Sequence, residues 1–107
     1  MAADEPKGDV SRLMDLLDDT IKLLERYGET HWAQRLTTCR REMLAHDAHG
    51  LSRLLAAYGG MGSFGDVLIA EANGHPIRRF DEDAVNQLLD ARRSEIWRLA
   101  RDLRRLD

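Results

Sequence analysis

From Val10 onward, Leu13, Met14, Leu17, Ile21, Leu24 and Tyr27 recur at steps of three and four with Asp and Lys opposite them. That spacing predicts an amphipathic helix. Leu16 and Leu23 lie beside the stripe and widen it into a face for two neighbours. Asp9 or Ser11 is placed to cap its start, and Gly28 to end it in the left-handed conformation. Thr30 is the expected cap of a second helix, in which Trp32, Leu36, Cys39 and Met43 share a face and Gln34, Arg35, Arg40, Arg41 and Glu42 take the solvent side. A join this short makes the two helices an αα-hairpin. Asp47 caps a shorter third helix with Leu51, Leu54, Leu55 and Tyr58 inward, and Gly59 stops it.

The last periodic segment is the longest. Behind Asp81 as cap, with Glu82 and Asp83 in the first turn, Val85, Leu89, Arg92, Ile96, Leu99, Leu103 and Leu106 alternate steps of four and three. Such a helix spans about 35 Å or more. Arg92 stands where the pattern calls for leucine. It is buried only if paired with Asp66, Glu71 or an acid of the first helix; otherwise it reaches solvent.

Two stretches interrupt the helical pattern. In "VLIAEANGHPIRRF", residues 67–80, Val67-Leu68-Ile69 is strand-like and Asn73-Gly74 is a hairpin signal, whereas Pro76 weakens the second arm. The expectation is a short β-hairpin or an ordered irregular loop. "YGGMGSFGD", residues 58–66, contains the letters of G-x-G-x-x-G at Gly60 to Gly65, yet a helix and no strand precedes it and it holds no lysine. A phosphate loop lacks its mechanism here. Catalysis by Ser63 requires a base, and no spacing nominates one among His31, His46, His49 and His75.

A structural corner explains more of the letters. Gly59 and Gly60 end the third helix, Ser63 and Asp66 cap a new turn reciprocally, and Met61 and Phe64 point inward. A rigid corner is also a recognition surface, so Gly59, Gly60, Met61, Gly62, Ser63 and Asp66 are the candidate binding residues, with no catalytic residue assigned.

Composition narrows the classes. At 107 residues, 43% apolar and 33% charged, the chain reads as one folded domain over 9–107 behind a flexible tail at 1–8. Cys39 is the only cysteine, which excludes an intramolecular disulfide. His46, Asp47 and His49 in "HDAHG" suggest a metal pair but find no third ligand nearby, so no metal or cofactor is expected. The start of the chain does not read as a signal peptide, and no apolar run is long enough to span a membrane, which points to a cytoplasmic protein without membrane contact. The net charge of -3 argues against nucleic acid, although Arg92, Arg93, Arg98, Arg101, Arg104 and Arg105 crowd the last helix. Cations there stabilise the helix end by about 0.3 to 1 kcal/mol each. Trp32 is expected in the core and Trp97 in a structural role.

Trp32, Gly50-Leu51, "YGGMGSFGD" and "LLDARRSEIWRLARDL" together resemble a small bacterial family classed as a domain of unknown function. Its pattern has G-G-M-G-S-[FL]-N-D and a final helix of the form S-x-[IA]-[YW]-x-L-A; the resemblance runs over roughly residues 12–104. Gly65 departs from it, since the family has Asn there. The resemblance implies a bacterial source and a compact, mainly helical fold, and carries no activity to transfer.

The expected architecture is therefore a bundle of about four helices with a glycine-rich corner. The expected function is a non-enzymatic protein-interaction module, immunity-like or homodimeric, because Leu16, Leu23, Leu88 and Trp97 exceed what one core of this size absorbs. An enzyme or small-molecule binder at residues 59–66 is the alternative. Nucleic-acid binding by the last helix is the third reading.

Overall fold

The computed structural model describes residues 8–105. Among them four helices, α1 (Asp9–Arg26), α2 (Thr30–Leu44), α3 (Ala48–Ala56) and α4 (Arg79–Arg105), make a mainly α, compact fold. The expected tail lies outside the described residues except for Gly8, whose carbonyl accepts the Arg12 amide. Leu106, the last member of the final stripe, also lies outside them.

The helices begin and end where local chemistry allows. Gly28, at φ +73°, closes α1: its own amide donates to Glu25 and the Glu29 amide to Leu24, the paired bonds of a Schellman motif. Glu29 rather than Thr30 caps α2, by accepting the Trp32 amide. The end of α2 repeats the Schellman geometry with His46 at φ 59° in the glycine position. Asp47 then caps α3 through the His49 amide at 2.9 Å. α4 starts two residues before Asp81, which accepts instead from the Arg78 guanidinium at 3.1 Å.

α1 packs on α2 and on α4, and α3 packs on α2 and on α4. Leu13, Leu17, Leu24, Leu36, Leu54, Leu89 and Ile96 lose all solvent contact between them, each contributing about 1.5 to 3 kcal/mol of burial. α3 lies close against α2 because residue 50 is glycine: a Cβ there would sit 2.8 Å from the Cys39 carbonyl oxygen and the Met43 amide nitrogen. Leu16 and Leu23 pack at the edge of this core, whereas Leu88 and Trp97 stay 44% and 38% exposed.

No β-strand forms among the described residues, so residues 67–78 make no hairpin. The turn at Asn73-Gly74 does form, with Gly74 at φ +85°, but it closes a short 3-10 turn, Glu71–Asn73. What replaces the ladder is one side chain of α4. Asn86 accepts the Ile69 amide on Oδ1 and donates Nδ2 to the Ile69 carbonyl, both at 2.8 Å, filling the two positions a neighbouring strand would occupy. At the far end of this connector, His75 Nε2 meets Glu29 at 3.0 Å and Nδ1 accepts the Ala70 amide at 3.0 Å. Pro76 lies against Gly28, where a Cβ would sit 3.1 Å from the proline Cδ.

Candidate functional site

The glycine-rich corner joins α3 to the connector and is fastened at its base. The Phe64 amide donates to the Ala57 carbonyl at 2.9 Å, which closes residues 57–64 into a loop. Phe64 is fully buried, with Trp32 and Tyr58 rings at 5.4 and 5.6 Å and the Arg93 guanidinium 5.8 Å from its centroid. It locks the corner to the core.

Met61 does the opposite of what its apolar character suggests. It is 98% exposed at the loop tip, because Gly60 and Gly62 on either side take φ +81° and +74° and turn the chain outward. The reciprocal capping of Ser63 and Asp66 is also absent. Asp66 Oδ2 instead accepts the Gly62 amide at 2.8 Å, and Ser63, though it stands before the 3-10 turn Phe64–Asp66, makes no side-chain cap. Asp66 thus braces the loop tip rather than the turn. Gly59 and Gly60 are exposed just past α3, and Ser63 is buried.

Arg93, which the heptad reading passes over in favour of Arg92, is the residue that holds this region to α4. Its Nη1 donates to the carbonyls of Phe64 and Val67, both at 2.8 Å, and Nη2 pairs with Asp90. The side chain is 9% exposed, with both terminal nitrogens engaged. A step of four and three from Leu89 to Arg93, Ile96 and Ala100 puts it on the buried face, and that spacing is the signal available in the sequence. Arg92 sits one position round, half-buried, with Asp19 of α1 at 3.5 Å.

Beside the corner is an open cleft of about 590 Å³ lined by Tyr58, Gly65, Asp90, Arg93, Ser94 and Trp97. Tyr58 and Trp97 form its aromatic wall, rings 5.2 Å apart. The Tyr58 hydroxyl donates to the Arg93 carbonyl at 2.8 Å, and burial pushes its pKa well up, so it stays a neutral donor. Gly65, without a side chain, leaves the floor clear. Of the sequence-nominated residues, Met61, Gly62 and Asp66 form the loop tip, and Trp97 lines the cleft with residues the pattern does not nominate.

Acid–base chemistry finds little support in this geometry. Among the described residues no histidine is hydrogen-bonded to Ser63: His75 is engaged by Glu29 and Ala70, His49 by Asp47, and His31 stacks edge-on to Trp32. No group of three or more His, Cys, Asp and Glu side chains that could hold a metal ion converges among the described residues. Cys39 is buried, and burial raises its thiol pKa, which disfavours the nucleophilic thiolate. No helix among the described residues is long and apolar enough to cross a membrane.

No curated protein and no solved structure matches the chain. Residues 25–78 match a family described as a domain of unknown function, DUF6966. The matched span begins at the end of α1 and runs through α2, α3, the corner and the connector to Arg78, one residue before α4 starts. It includes Gly28, Glu29, Trp32, Gly50, Met61, Phe64, Asp66 and His75, while Asn86 and Arg93, which fasten that span to α4, lie beyond it. Matched over half its length, the chain belongs to this family of unknown function.

Proposed function

We propose that the protein is a non-enzymatic protein-interaction module that docks a partner protein through the glycine-rich corner and the cleft beside it. The observation that carries this reading is Met61, a flexible apolar side chain 98% exposed on a loop braced at both its base and its tip. Methionine adapts to irregular apolar surfaces, and a loop already held in one shape loses little entropy on binding. The Tyr58–Trp97 wall beside it adds aromatic area of the kind that anchors interfaces. A bacterial source and a toxin-neutralising role would suit the small size and the net charge of -3, and under that reading the partner is a toxin encoded by the neighbouring gene.

The test uses the tagged full chain to capture proteins from its native host, followed by binding of the purified candidate. Met61→Asp is expected to weaken that binding at least about tenfold with an unchanged melting temperature. Equal affinity for the variant, or no purified partner that binds the wild type, overturns the proposal.

Two other readings have weaker support. For catalysis, no histidine among the described residues is hydrogen-bonded to Ser63. For nucleic acid, the arginines of α4 are interleaved with acids: Arg98 lies 3.9 Å from Glu95 and Arg101 3.5 Å from Asp102. Such mixed faces attract phosphate weakly.

A further inference from the structure

A second surface, away from the corner, has the features of an interface. Phe80 in the first turn of α4 is 92% exposed. A lone exposed apolar residue is ordinary, but this one stands at the head of a line that leads to a matching recess. Phe80, Ala84 and Leu88 follow at four-residue steps and so drift slowly round the helix toward α1. All three are exposed. The line ends in a groove of about 300 Å³ between α1 and α4, lined by Asp19, Lys22, Leu23, Arg26, Leu88 and Arg92. A cavity of about 150 Å³ already takes benzene, so a phenyl group fits with space to spare.

We infer that this face pairs with the same face of a second copy, Phe80 of each chain seating in the α1–α4 groove of the other. From Phe80 to the middle of the groove, between Leu88 and Arg92, is about ten residues, or about 15 Å of helix. A two-fold axis midway, near the level of Val85, sets the two α4 helices antiparallel and exchanges one end of the line for the other. This is the isologous arrangement, in which residue i meets j while j meets i. The small side chain of Ala84 beside the axis lets the helices approach. At the groove, Leu23 and Leu88 meet the ring edge, and the Arg92 guanidinium is positioned to cover its face.

The charges favour this register. Around the groove, Lys22, Arg26 and Arg92 against Asp19 and Asp18, which pairs with Lys22 at 3.0 Å, leave a net charge of +1. Around Phe80, Arg78 and Arg79 against Asp81, Glu82 and Asp83 leave -1. Opposite signs therefore meet twice, once on each side of the axis. The contact is small, so the dimer should be weak, with a dissociation constant on the order of 10 to 100 μM.

Sedimentation equilibrium of the purified chain from about 10 to 500 μM, a range chosen to bracket that affinity, is the experiment. A reversible shift from monomer to dimer mass is expected. Phe80→Asp spoils the protruding ring and Leu88→Arg blocks the groove, so each variant alone should remain monomeric while keeping the wild-type melting temperature. An equimolar mixture of the two should regain a heterodimer: one contact is intact, and in the other the introduced carboxylate faces the introduced guanidinium as an ion pair. Monomeric wild type throughout the range, or a mixture that stays monomeric, overturns the inference. Neither result bears on Met61 and the corner.

Discussion

The helices and the segment between α3 and α4 are held by different forces. α1 and α3 each bury leucines against α2 and against α4, each element contributing a stripe that its own sequence announces. Residues 57–78 contribute Phe64, Ile69 and Ile77 to the core, but their course is fixed by polar side chains: from α4, Arg93 on the carbonyls of Phe64 and Val67 and Asn86 on Ile69, and from the segment itself, His75 bridging Ala70 to Glu29. Burial tolerates small shifts in geometry, while a hydrogen bond to a buried carbonyl is either made or lost. The segment between α3 and α4 should therefore fail in discrete steps and the helices gradually.

The largest expected effect tests the first half of that contrast. Arg93→Met keeps most of the aliphatic volume but removes the guanidinium from two carbonyls, of which that of Phe64 keeps the Val67 amide at 3.3 Å. A loss of about 2 to 4 kcal/mol is expected in denaturant unfolding, most of it from the lost charged hydrogen bonds to the backbone. A neutral result would mean that water replaces the guanidinium, and the contrast would weaken.

Next in size is a change confined to the helices. Gly50→Ala forces a methyl to within 2.8 Å of the Cys39 carbonyl oxygen and the Met43 amide, and the α2–α3 pair has to move apart. Overpacking of this kind costs about 1 to 3 kcal/mol, against a small gain in helix propensity. The melting temperature should fall while the Tyr58–Trp97 region keeps its fluorescence.

The smallest effect sharpens the comparison through pH. The His49 amide, and then its ring, hold the Asp47 carboxyl below its ordinary value of 3.8. A depressed folded-state pKa means stability present above the unfolded value and lost as pH falls through the folded one. Wild type and Asp47→Ala should therefore differ in melting temperature at neutral pH and converge in strong acid. A difference that persists at low pH would assign the effect to helix propensity rather than to the charged cap.

How much of the molecule is legible in the sequence follows the same division. The four helices, the Gly28 and Asp47 boundaries and the burial of Trp32 follow from periodicity and capping, which are properties of neighbours in the chain. Periodicity misreads the connector because Val67-Leu68-Ile69 asks for a strand and finds Asn86, seventeen residues from Ile69, whose side chain leaves no periodic trace. Apolar character alone points Met61 inward, whereas Gly60 and Gly62 at positive φ decide its direction. Arg92 and Arg93 are adjacent, and a 3.5-residue step selects one while the 3.6-residue period of a straight helix selects the other. In the site, the corner is recognisable as a corner; the cleft is not, since Tyr58 and Trp97 meet only in three dimensions.

Native-state hydrogen exchange on Asn86→Leu tests most directly whether α4 holds the connector through side chains. Loss of the two bonds to Ile69 should expose the Ile69 amide to exchange at least about tenfold faster, with the amides of α1 and α2 unchanged. Uniform acceleration across all helices, or unchanged protection at Ile69, would contradict the account.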